Sequence, residues 1–135
     1  MYGSLPKNEM TIEFKETGVD TGLEYTGDFL VKCVLTIQDK HSVALEKTRL
    51  MADTANPTGD LAGIAVTLAE VRARIIEAPK WWAETDRGAK MFDENILLRL
   101  YDKCMDCEDE WRKSLKKKAE DSKEEEKTEA QAEGN

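Results

Sequence analysis

The spacing of apolar residues changes period along this chain, and each change predicts an element. From Met10 the pattern alternates, with Met10, Ile12 and Phe14 on one side and Thr11, Glu13 and Lys15 on the other, as in a half-buried strand. Gly18 to Gly22 supplies turn residues. A second alternating run follows, placing Leu23, Tyr25, Phe29, Val31, Cys33 and Leu35 on one face, with Gly27 as the expected bulge or bend. The two runs predict a β-hairpin or a small antiparallel sheet. A lone hairpin is marginal in water, so its apolar face requires helices packed on it or a third strand from a partner chain.

Thr36 followed by Asp39 forms a capping pattern that opens a helix from about Ile37 to Ala52, with Ile37, Val43 or Ala44, Leu45 and Leu50 as apolar positions. Asp53 to Asp60, with Asn56, Pro57 and Gly59, reads as a loop. Leu61, Ile64, Ala65, Leu68, Val71, Ile75 and Ile76 then trace a second helical stripe, which Pro79 ends. The longest element runs from Asp93 to Lys118. Its positions Leu97, Leu100, Cys104, Cys107, Trp111 and Leu115 recur at steps of three and four, with Asp93 as N-cap and Lys116 to Lys118 suiting the negative end of the helix dipole. The predicted fold is α+β: a single domain over residues 10–118 with a hairpin, about three helices and a long amphipathic C-terminal helix. Residues 1–9 read as a flexible arm. Residues 119–135 lack any large apolar side chain and read as an acidic disordered tail, or at most a solvated extension of the helix.

Charge narrows the partners. The 135 residues carry a formal net charge of -8, with 36% of them charged, so the long-range field repels nucleic acid phosphates and anionic membranes alike. Protein partners remain. No apolar run approaches the length of a membrane span and no N-terminal apolar segment resembles a signal peptide, which predicts an intracellular protein. Three cysteines, an odd number, fit reduced thiols better than a disulfide framework.

Candidate chemistry is sparse. Cys104 and Cys107 have the C-x-x-C spacing, yet they lie in mid-helix on the apolar stripe, where a structural zinc site would have only Cys33, His41 and carboxylates to complete it. They read as small core residues. His41 has no triad or metalloprotease pattern around it, the acidic runs lack the glycine and alternating oxygens of a calcium loop, and the hairpin glycines lack the strand-to-helix context of a phosphate loop. No catalytic, cofactor-binding or metal residue is assigned, and a non-enzymatic protein is expected. Trp81 and Trp82 lie in the connection between Pro79 and Asp93; adjacent residues in an extended loop point apart, so the pair reads either as core or as a partner-binding anchor. Trp81, Trp82, Met91 and Phe92 are therefore the candidate partner-binding residues, and alanine at both tryptophans is expected to weaken binding while leaving the fold intact.

Two stretches carry a resemblance. GLEYTGDFLVKCVLTIQDK, at Gly22 to Lys40, and VRARIIEAPKWWAETDRGAKMFDENILLRLYDKCMDCEDEW, at Val71 to Trp111, resemble small proteins from the tail-gene region of tailed bacteriophages, of the tail assembly chaperone kind. The resemblance implies a helper in the host cell cytoplasm that holds the tape measure protein until tail tube subunits polymerise around it, with no cofactor. The alternative is a structural virion protein whose arm and hairpin contact neighbouring subunits. Self-association into a homo-oligomer is open in either case.

Overall fold

The computed structural model describes residues 7–52 and 59–133, and side chains in that range except those of residues 59–61 and 122–133. Strands β1 (Glu9–Thr17) and β2 (Glu24–Lys32) pair antiparallel without interruption, from Glu9 opposite Lys32 to Thr17 opposite Glu24. Helix α1 (Ile37–Met51) follows, opened by the expected capping box: the Thr36 hydroxyl accepts from Asp39 N, and the Asp39 carboxylate accepts from Thr36 N. Helix α2 (Gly59–Arg74) passes directly into strand β3 (Ile75–Glu77), and a short helix α3 (Lys80–Glu84) precedes the long helix α4 (Glu94–Glu133). The architecture is α+β, with a three-stranded antiparallel sheet in the order β1-β2-β3.

Several boundaries differ from the sequence reading, each for an identifiable reason. Ile75 and Ile76 continue the helical spacing of α2, yet they form a strand, because β-branched residues suit a pleat and the free side of β2 offers Leu30 and Val31 as partners. The third strand thus comes from the chain itself. Gly27 is not a bulge, since the β1–β2 register runs through it opposite Phe14. Its φ of +143° and a would-be Cβ only 2.5 Å from Pro79 Cγ show what it does: it lets the turn before α3 lie on the strand. Leu23 precedes the start of β2 and is exposed rather than on the apolar face. β1 begins at Glu9, and Asn8, read as part of the arm, is tied to Val34 through both side-chain amide atoms. Residues 1–6 of that arm, and 53–58 of the loop expected between α1 and α2, lie outside the described residues; Gly59 and Asp60 of that loop already belong to α2. Helix α4 runs past Lys118 through the acidic segment to Glu133, a length of about 60 Å at 1.5 Å per residue. Alanine, glutamate and lysine all favour helix, which explains the continuation.

The core lies between the inner face of the sheet and the helices. Ile12 and Phe14 of β1 and Tyr25, Phe29 and Val31 of β2 meet Leu68 and Val71 of α2, Trp82 of α3, and Ile96, Leu97, Leu100, Cys104 and Cys107 of α4. The sheet's other face is charged and exposed. Cys33, Cys104 and Cys107 are free and buried as expected, and burial first of all pushes the Cys104 thiol up to about 12 and that of Cys107 up to about 11. They act as small apolar side chains. Because Gly27 combines a left-handed backbone with contact to Pro79, Gly27→Ala is expected to lower stability by about 2 kcal/mol or more, read from urea unfolding followed by tryptophan fluorescence.

Candidate functional site

The end of the molecule at the β1–β2 turn is held by one carboxylate. Asp93 stands immediately before α4, at the N-cap position, where its carbonyl accepts from Ile96 N, but the partners of its side chain are all in the hairpin. Its Oδ1 accepts from Asp20 N (2.9 Å) and Thr21 N (3.0 Å), and its Oδ2 from the Thr21 hydroxyl (2.6 Å) and the Tyr25 hydroxyl (2.8 Å). The expected side-chain cap is thereby corrected: the carboxylate satisfies the turn rather than its own helix. Gly18 gives it room, since a Cβ there would sit 2.3 Å from the carboxyl carbon. The Asp93 side chain is shut off from solvent. The Thr21 hydroxyl, ahead of the backbone and Tyr25 donors, holds its carboxyl below the usual range, while burial and then the Asp93 bond push the Tyr25 phenol up. Two residues on, at the start of α4, Asn95 accepts from Val19 N and donates to Thr17 O, and about one turn beyond it Arg99 pairs with Glu16 at 3.0 Å.

The connection leading into Asp93 is also fixed. The two tryptophans lie in the helical turn of α3, not in an extended loop, so both rings reach one cluster: Trp81 lies 5.0 Å from Tyr25 and 5.5 Å from Phe29 between ring centroids, and Trp82 lies 6.1 Å from Phe29. The Trp81 indole donates to Thr26 O at 2.9 Å. Trp82 is buried and Trp81 half-buried, so the core reading of the pair holds and Trp82 has no surface to offer a partner. Beyond α3, Asp86, Arg87 and Gly88 all adopt positive φ. This strained turn is held by Arg72 of α2, whose buried guanidinium donates to the Arg87 and Asp86 carbonyls and pairs with Glu46 of α1. Hydrogen bonds to Arg49, then the one to Arg72, hold the Glu46 carboxyl down at about 2 against the opposing effect of burial.

Four of the exposed large apolar side chains lie on the segments that Asp93 and Asn95 tie together, while Ile37 and Leu45 are exposed on α1. Of the candidate residues, Met91 is half-buried against the core, whereas Phe92 is 79% exposed. It is joined by Val19 at 78% and Leu23 at 58%, both in the turn that Asp93 holds, and by Leu98 at 53%, three residues beyond Asn95 on α4. Residues three apart on a helix share a face, so Leu98 stands beside the strip that carries the hairpin. Val19 and Leu98 escape the periodicity argument, and Leu23, which the alternation puts on the apolar face, is exposed instead. An apolar residue inside a turn, and a leucine beside the stripe residue Leu97, are the signals that mark the first two. His41 is exposed on α1, away from this end. Among the described residues no group of three or more histidine, cysteine or acidic side chains is placed to hold a metal. The described helices contain none long and apolar enough to cross a membrane.

No protein-family model, curated protein or solved structure matches the chain. The site therefore rests on its geometry.

Two measurements follow from that geometry. Trp82→Ala is expected to cost about 3–5 kcal/mol, as for other large core truncations, and Phe92→Ala under about 0.5 kcal/mol, both read from urea unfolding. Because both rings pack on Phe29, alanine at both tryptophans is expected to disrupt the fold rather than spare it. Asp93 and Glu46 both have folded-state pKa values below their unfolded ones, so their contributions are complete above about pH 4–5 and disappear as pH falls through the folded values. Stability should be flat from pH 7 to about 5 and fall steeply toward pH 2. Asp93→Asn should lower the neutral-pH plateau and flatten that fall, measured by urea midpoints across the range.

Proposed function

We propose that the chain is a non-enzymatic assembly protein that binds an apolar client segment at the turn end of its hairpin, most consistently as a tail assembly chaperone of a tailed bacteriophage. The observation that carries the reading is the group Val19, Leu23, Phe92 and Leu98, four large apolar side chains more than half exposed at one end of a chain of net charge -8. Exposed apolar groups gathered on a charged surface mark protein contacts. Their mounting supports the same reading: the Asp93 bonds and the Arg72-held turn fix the backbone beneath them, so little conformational freedom is lost on binding. The client would be an amphipathic helix of the tape measure protein, with the tail tube protein as a further partner, and the acidic body would keep the complex in solution in the host cytoplasm. The second reading, a structural protein of the virion, is favoured by the open edge of β1.

Co-expression with the tape measure protein of the source phage tests the first reading. The client's soluble fraction is expected to rise with the wild-type chain, and Phe92→Asp combined with Leu23→Asp should weaken binding at least about tenfold while leaving the far-ultraviolet circular dichroism unchanged. An unchanged affinity in that variant would remove the site. Quantitative mass spectrometry of purified virions separates the two readings, since a chaperone is absent from mature particles and a structural protein is present at a fixed ratio to the tail tube.

A further inference from the structure

β1 is an edge of the sheet, and its ladder with β2 shows which backbone groups face outward. Gly18 N donates to Leu23 O at one end, and Cys33 N donates to Asn8 O at the other. With the continuous register between them, the even-numbered residues of β1 exchange bonds with β2, and Glu9, Thr11, Glu13, Lys15 and Thr17 direct their N–H and C=O groups away from it. The turn end of this edge is closed. Thr17 O accepts from Asn95 Nδ2, and Glu16 is paired with Arg99. At the other end the Asn8 amide turns toward Val34 on the β2 side. From Glu9 to Lys15 there is no bulge, no proline and, among the described residues, no backbone partner on the outer side. Such an edge is a template for another strand.

We infer that Glu9–Lys15 of β1 pairs antiparallel with the same segment of a second copy of the chain, about a two-fold axis at Ile12. Charge and the length of open edge together select this occupant and this register, since a pairing centred at Met10 matches Lys7 with Glu13 but leaves Lys15 unpaired. Glu9 then stands opposite Lys15 of the second copy and Lys15 opposite its Glu9, while Thr11 and Glu13 face each other's counterparts. Half-buried Met10 gains Phe14 of the second copy as its cross-strand neighbour on the inner face. A register centred at Glu13 sets that carboxylate against its own copy. One centred at Phe14 matches Glu13 with Lys15 but needs the Thr17 carbonyl, which Asn95 already occupies. The pairing joins two three-stranded sheets into one, and the contact is small enough that the dimer is weak and concentration-dependent.

Sedimentation velocity and native mass spectrometry over a concentration series test the inference. The wild-type chain should dimerise reversibly, with amide exchange at Thr11, Glu13 and Lys15 slowing as concentration rises. Lys15→Glu should raise the dimer dissociation constant about tenfold, Glu9→Lys with Lys15→Glu should restore it, and Glu13→Lys should change it by less than about threefold. All three side chains lie on the solvent face, and circular dichroism checks that the fold persists. A chain that stays monomeric at millimolar concentration, a dimer indifferent to Lys15→Glu, or one broken selectively by Glu13→Lys would each overturn the pairing.

Discussion

A single buried carboxylate joins the two halves of this molecule. Asp93 gives its oxygens to the turn of a hairpin more than seventy residues earlier, where two backbone N–H groups and two hydroxyls converge on it. Without it those donors would be buried or partly buried beside an apolar cluster with no acceptor, a costlier state than the loss of the bonds themselves. Because Asp93 also begins α4, fixing the turn fixes the start of the longest helix. The direction in which α4 crosses the sheet, and hence the meeting of Ile96, Leu97 and Leu100 with Phe29 and Val31, follows from that anchorage.

The two candidate contact surfaces share this anchorage without overlapping. The apolar group around Phe92 lies at the turn end, on backbone that Asp93 and Arg72 hold still. The open part of β1 lies beyond Asn95, which shuts the strand edge at Thr17 and leaves it available only from Lys15 back to Glu9. The first few residues of α4 therefore serve as hairpin clasp and as edge guard. A charged outer sheet face and an acidic helix surround both surfaces.

Much of the fold is legible in the residues because local and global demands agree there. The alternation from Met10 to Phe14, the Thr36–Asp39 cap and the stripe from Leu97 to Trp111 are strong signals read over short windows, and each element appears as expected. What is hidden depends on distant neighbours. Ile75 and Ile76 fit a helix until the open side of β2 competes for them, Gly27 reads as a bulge until Pro79 is seen against it, and Asp93 satisfies every local rule for an N-cap while serving another element. The candidate site was half legible for the same reason. Phe92 is exposed as the residues suggest, whereas an extended chain at Trp81 and Trp82 would leave one ring free and the helical turn of α3 folds both inward.

The order in which the chain is made gives this arrangement a temporal consequence. During synthesis the hairpin is complete long before Asp93 exists, so its turn donors, its apolar face and its free edge are all exposed while the helices are still being made. The hairpin's buried face and turn donors thus depend on residues made last. The last helix is therefore the element that completes the core and satisfies the turn, and a chain cut short before Asp93 would lack both.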